Sequence, residues 1–155
     1  MENNEYKSSI EDEFCFAIYF AERNMSKFFS KVLKKFKLTF TQYVTLLILW
    51  KEKKPMQMSE VTQYLQLDYG TTSPLFKRME KNGWIRRKCL PNDKRKIYIE
   101  LTEKGTEKEE IINEQVKEYL NSVNKTDSEF KNELQVIYKV NNKVNDINDY
   151  LEDLF

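Results

Sequence analysis

The sequence predicts a mainly α-helical chain with one small β-hairpin, on three observations. All three glycines (Gly70, Gly83, Gly105) and all three prolines (Pro55, Pro74, Pro91) fall between positions 55 and 105, so both flanks are free to run as long helices. Inside that punctuated middle, apolar residues change from helical spacing to strand alternation at WIRRKCL and KIYIEL. Beyond it, Phe130 to Leu154 carries an apolar residue every three or four positions, more than a small lobe can bury alone.

The elements follow in order. Ser8 and Glu11 can form a capping box ahead of Phe14, Ala17, Ile18, Ala21, Met25, Phe28, Phe29, Val32 and Phe36, which predicts a helix from about Ser9 to Phe36. Phe16 and Phe20 add a second apolar face, so this helix is expected to meet another chain as well as its own. Thr39 and Gln42 make a second capping pair before YVTLLILW, a buried helix ending near Lys51. Pro55 leads into MQM, a short strand, and Ser59 is placed to cap a brief helix through about Tyr64. After the turn QLDYG, TTSPLFKRMEKN predicts a helix from Thr71 to Asn82, with Pro74 in its first turn, Leu75 and Met79 inward and Gly83 as C-cap. Strand WIRRKCL, turn PNDKR and strand KIYIEL form a basic-tipped hairpin. From Thr102 one helix is expected through LTEKGTEKEEIINEQVKEYL. Thr126 and Glu129 then cap a last helix bearing Phe130, Leu134, Ile137, Val140, Val144, Ile147, Tyr150 and Leu154. Two short helices followed by a hairpin are a winged helix-turn-helix. The expected division is residues 39–102 for nucleic-acid binding, and residues 1–38 with 103–155 for a helical dimerisation region built from the N- and C-terminal helices.

Charge sharpens that division. The chain has 155 residues and a net charge of only +1, yet residues 1–50 carry 7 basic and 6 acidic groups, residues 51–105 carry 13 and 7, and the remainder 6 and 12. A basic middle thus sits beside an acidic tail, as in proteins that present one segment to nucleic acid. With no histidine, Ser-His-Asp and Cys-His nucleophile systems and His-ligated metal sites are excluded. Two cysteines, Cys15 and Cys89, are too far apart in sequence to suggest a zinc motif or a secreted disulfide scaffold. Neither a glycine-rich phosphate loop nor a carboxylate cluster is present, so no enzyme, metal or cofactor is expected. The start MENNEYK lacks a signal-peptide core and no apolar run approaches membrane-spanning length, which predicts a cytoplasmic protein with no membrane partner.

With these elements placed, the sequence resembles the MarR family of bacterial transcriptional regulators and, within it, the organic-hydroperoxide-sensing (OhrR-like) branch. The resemblance rests on FCFAIYFAERNMSKFF, LTFTQYVTLLILW, LDYGTTSPLFKRMEKNGWI and DKRKIYIELTEKG, the last holding a D-x-R element followed by L-T (Asp93, Arg95, Leu101, Thr102). It implies a homodimer on pseudopalindromic double-stranded operator DNA, probed by recognition helices about 34 Å apart in successive major grooves with wings at the flanking minor grooves. On that basis Thr71, Thr72 and Ser73 would meet phosphates or base edges, Lys77 a phosphate, and Arg78 a phosphate or a guanine edge. Arg95 would enter the minor groove, oriented by Asp93, while Arg86, Arg87, Lys88, Lys94 and Lys96 supply electrostatic attraction.

The same resemblance implies that Cys15 is oxidised by peroxide and that oxidation releases DNA. Thiolate character controls that chemistry, and with Cys15 about two turns inside the expected helix the dipole helps only weakly. Where the sensing branch carries tyrosine hydroxyls, two positions here are Phe29 and Phe40, leaving Tyr19 and Tyr43 as hydrogen-bond donors. The leading expectation is a repressor whose DNA affinity changes on oxidation of Cys15. Two others stand beside it: a regulator of the same type released by a small aromatic or phenolic effector, and a helical protein-interaction module that does not bind DNA.

Overall fold

The structure is a computed structural model that describes residues 13–90, 93–122 and 126–152, with the backbone alone at 90 and 93–95. Seven α-helices and three strands occur among the described residues, and the chain divides into two compact units between Asn113 and Glu114.

Helix α1 spans Phe14–Val32, with Glu13 at its N-cap. The expected capping pair Ser8–Glu11 lies outside the described residues. The helix also stops short of Phe36: Lys34–Phe36 form a separate 3₁₀ turn, closed by Lys37 at φ 56°. Helix α2, Phe40–Glu52, begins with the expected box, Gln42 N–H donating to Thr39 Oγ1 at 3.3 Å and Thr39 N–H to Gln42 Oε1 at 3.0 Å. Its Leu46, Leu49 and Trp50 are buried with Leu33 and Leu38 from the preceding turn.

Strand β1 is Met56–Gln57 and helix α3 is Met58–Tyr64. Gln57 and Glu60 cap α3, so the expected role for Ser59 is corrected: the strand hands directly to the helix, and Glu60 reaches back to the Gln57 N–H at 2.8 Å. Helix α4 runs Tyr69–Lys81, two residues earlier than expected, because Asp68 accepts the Thr71 N–H at 2.9 Å. Pro74 therefore sits in the second turn rather than the first. At the other end Gly83, at φ 74°, donates to Glu80 O, and Trp84 N–H donates to Met79 O. This paired closure ends the helix in the left-handed conformation glycine adopts without strain.

Strands β2 (Ile85–Leu90) and β3 (Asp93–Leu101) form the wing hairpin, and β1 pairs with β3 to give the antiparallel order β1-β3-β2. The register puts Arg86 opposite Glu100 and Lys88 opposite Tyr98, with a bulge between Cys89 and Leu90. Phe76, Met79, Trp84, Ile85 and Ile99 are buried where α4 meets the sheet. After β3 the expected single helix is two, α5 (Glu103–Glu107) and α6 (Glu109–Asn121). The cause is a contact from α2: the Gly105 carbonyl accepts the Trp50 indole N–H at 2.8 Å, and the helix gives way at Lys108.

In the second unit, helix α7 runs Asp127–Glu152, capped as expected by Thr126 and Glu129. Considered by itself it buries none of its described side chains, and Phe130, Leu134, Ile137, Ile147 and Tyr150 are exposed apolar groups. Leu154, at the end of the expected stripe, lies outside the described residues.

Candidate nucleic-acid interface and thiol site

Helix α4 has two faces. Thr72, Leu75, Phe76 and Met79 point into the lobe, whereas Tyr69, Gly70, Thr71, Pro74, Lys77, Arg78 and Lys81 are exposed. Three cations thus share the solvent side of a helix whose opposite side is pinned by core contacts. Lys77 and Arg78 stand where the sequence predicts. Lys81 and Tyr69 were missed, although Lys81 is one turn beyond Lys77 and belongs to the same helical face.

The start of α4 corrects two expectations. Thr72 is fully enclosed: its hydroxyl pairs with Thr62 Oγ1 at 2.9 Å and lies 3.2 Å from Asp68 O, so it presents nothing to a groove. Thr71 is exposed, but its hydroxyl donates to Asp68 Oδ2 at 2.6 Å and its N–H is also taken by that carboxylate. Those hydrogen bonds from Thr71 hold the Asp68 carboxyl below its ordinary value. A fixed negative charge consequently occupies the helix end expected to welcome phosphate. The signal was Asp68 itself, a preferred N-cap residue, overshadowed by the Thr-Thr-Ser run. Ser73 is half-buried.

The wing separates its basic residues by strand alternation. Arg86 and Lys88 share one face, with Glu100 between them at 3.5 Å and 2.5 Å. Arg87 points the other way and is consumed internally: its Nε donates to Glu80 Oε2 at 2.7 Å, its Nη2 lies 2.6 Å from the same oxygen, and its backbone N–H donates to Glu80 Oε1 at 2.9 Å. Its expected attraction for DNA is corrected to an intramolecular pairing. Partial burial pushes the Glu80 carboxyl up, but the hydrogen bonds from Arg87 outweigh it and leave the group below its ordinary value. The side chains of Asp93, Lys94 and Arg95 lie outside the described residues, while Lys96 is exposed.

Cys15 is the second residue of α1 and exposed, so it stands in the first helical turn rather than two turns in. There the positive end of the helix dipole is nearest, and it favours negative charge. Tyr19, one turn on, is also exposed. Tyr43 is elsewhere: its ring lies 5.6 Å from Phe29, and Phe40 stacks on Phe29 at 4.1 Å. Phe29 is 14 residues along the helix from Cys15, about 21 Å at 1.5 Å per residue. The Tyr43 hydroxyl donates to Asn113 Oδ1 at 3.1 Å, and burial raises its pKa. Within one chain, Tyr43 and Phe40 therefore do not line the thiol. Cys89 is exposed beside the wing bulge.

Comparison with known proteins agrees with this architecture. Residues 27–112 match the family described as transcriptional regulator SarA/Rot. The organic hydroperoxide resistance transcriptional regulator of Bacillus subtilis is 39% identical over 105 residues, 68% of this chain and 71% of that protein. The HTH-type transcriptional regulator MgrA of Staphylococcus aureus is 41% identical over 98 residues, 63% of this chain and 66% of its own length. Among solved structures, reduced AbfR bound to DNA superposes with a TM-score of 0.72 at 31% identity, covering 84% of this chain and 90% of that one. AbfR is a protein of Staphylococcus epidermidis. A lobe with one cationic helix face, a three-stranded wing and these matches lead to one assignment: the chain belongs to the SarA/Rot family of transcriptional regulators, of the MarR-type winged-helix fold.

Proposed function

We propose that the chain acts as a homodimeric, cytoplasmic, sequence-specific DNA-binding repressor without enzymatic activity, whose hold on a pseudopalindromic operator is changed by oxidation of Cys15. The observation that carries the DNA reading is the solvent face of α4, where Lys77, Arg78 and Lys81 stand on the side opposite a buried core face. In this proposal residues 39–102 bind DNA, with Ser73, Lys77, Arg78 and Lys81 at the major groove and Asp93, Lys94 and Arg95 at the wing tip. Residues 1–38 and 103–155 form the dimer, and the exposed stripe of α7 is the reason to place an interface there. The relatives support the redox part: one is a hydroperoxide-resistance regulator, and AbfR is solved in reduced and overoxidised forms bound to DNA and in a disulfide form.

The chemistry needed at Cys15 is short. Its thiolate sulfur attacks one oxygen of an organic hydroperoxide; the S–O bond forms as the O–O bond breaks, and the alkoxide leaves and takes a proton as an alcohol. The sulfenic acid so formed alters packing around α1, and the two recognition helices lose their operator spacing. Because Tyr43 of α2 packs beside Phe29, far along α1 from the thiol, Tyr19 is the tyrosine of the same chain, among the described residues, placed to assist it, alongside groups from a second copy.

The DNA reading is tested by salt titration of binding to a duplex selected from a randomised library by the wild-type chain. Lys77→Ala should flatten the log–log salt slope by about one and weaken all duplexes alike, while Arg78→Ala costs about 1–3 kcal/mol on the selected duplex alone if it reads a base. Unchanged binding in both variants would refute the docking.

A further inference from the structure

We infer that Glu80 is a positioning residue for DNA binding: through Arg87 it sets the angle at which the wing leaves the recognition helix. The inference rests on the DNA-binding role proposed above. Among the described residues strand β2 is an edge of the sheet, paired with β3 alone, so at alternate positions its backbone N–H groups face away from the sheet. The Arg87 N–H is one of these, and Glu80 Oε1 accepts it at 2.9 Å. The second carboxylate oxygen holds the Arg87 guanidinium at 2.7 Å from Nε and 2.6 Å from Nη2. One carboxylate in the last turn of α4 thus grips both the backbone and the side chain of the wing's first strand.

That grip falls where the wing most needs it. Strand β1 meets β3 at Ile99 and Tyr98, so from Cys89 and Ile97 outward the described hairpin is a two-stranded ribbon. A ribbon of that kind swings unless its base is held. A half-site engaged by α4 in the major groove and by the wing in the neighbouring minor groove is a bivalent contact. Its gain depends on how closely the second element is held to its target once the first has bound. Loosening the base lowers that effective concentration while leaving every DNA-facing side chain in place.

The sign distinguishes this role from plain electrostatics. Glu80 carries negative charge near a polyanion, so removing the charge should tighten binding if charge were all that mattered. We expect the opposite for Glu80→Gln, which keeps the volume but loses the ion pair. The experiment measures anisotropy of the full-length wild type, Glu80→Gln and Arg87→Lys on two duplexes. One was selected from a randomised library with A·T-rich flanks; in the other those flanks are G·C, which widens the minor groove and removes the wing's preferred site. Glu80→Gln should bind the A·T-flanked duplex about five- to tenfold more weakly and the G·C-flanked duplex within about twofold of wild type. Arg87→Lys, which keeps the charge but not the fork, should show the same pattern with a smaller loss. Equal losses on both duplexes, or none on either, would overturn the positioning role. Failure of the wild type to prefer the A·T flanks would overturn it as well, and failure to prefer the selected duplex over a scrambled one would remove the DNA-binding role beneath it.

Discussion

Gly105→Ala offers a test whose sign is decided by packing. Gly105 lies inside α5, and in an exposed helix interior replacing glycine by alanine stabilises by about 1 kcal/mol. Here a Cβ would stand 2.3 Å from the Trp84 carbonyl oxygen and 3.2 Å from Leu101 Cδ2. That carbonyl cannot step aside freely, because the Thr102 N–H and Thr102 Oγ1 both donate to it at 3.2 Å. Relief requires α5 to move by roughly 1 Å, and that movement stretches the buried bond from Trp50 Nε1 to Gly105 O, now 2.8 Å. An unpaired buried indole N–H costs about 1–3 kcal/mol, and the backbone displacement adds a similar amount. Set against the propensity gain, the net should be a loss of about 2–4 kcal/mol, or roughly 5–15 °C in melting temperature for a chain of this size. Thermal unfolding followed by far-UV circular dichroism reads it directly. A melting temperature equal to or above wild type would refute the claim that α5 is pressed against the wing exit.

Three further outcomes follow from single sites. Thr72→Val should destabilise by about 1–2 kcal/mol through loss of its paired hydroxyl, yet leave affinity for DNA within twofold, measured by denaturant unfolding and anisotropy; a selective loss of DNA binding would restore Thr72 as a contact. Lys53 ends α2 at φ 51°, so Lys53→Gly should stabilise by about 1 kcal/mol in the same unfolding assay, and destabilisation would show that its side chain matters more than its backbone. Asp68 and Glu80 are both held below their ordinary values of 3.8 and 4.5, so they stabilise the fold above those values and cease to as pH falls through their lower folded-state values. Melting temperature should accordingly be level from neutrality to about pH 5 and decline below about pH 4, less steeply in Glu80→Gln.

The local signals with a single solution were legible in the sequence. Thr39–Gln42 and Thr126–Glu129 cap the helices they were expected to cap, and Gly83 closes α4 because its left-handed backbone has no cheap substitute. Elements failed where two local answers competed. Asp68, Thr71 and Ser73 are all good helix openers, and the bond from the Thr71 N–H to Asp68, with Thr72 already in the core, is what selects a start at Tyr69. The break at Lys108 depends on Trp50, 55 positions before Gly105, a distance no local pattern spans. Three successive basic residues, Arg86, Arg87 and Lys88, look alike in sequence. The pleat divides them, and their partners Glu80 and Glu100 come from other elements. The surroundings of the thiol were not legible for the opposite reason, since family resemblance gathers Cys15 and Tyr43 without saying which copy supplies each.

In the function proposed for it, one chain joins operator recognition to the redox state of Cys15. The most direct measurement is anisotropy of the selected duplex with reduced wild type and Cys15→Ser, before and after an organic hydroperoxide, with the thiol followed by mass spectrometry in the same samples. Wild type should lose at least tenfold in affinity as Cys15 gains oxygen, while Cys15→Ser binds as tightly as reduced wild type and does not respond. Wild type that keeps its affinity after Cys15 is oxidised, or whose Cys15 stays a free thiol in excess hydroperoxide, would contradict it.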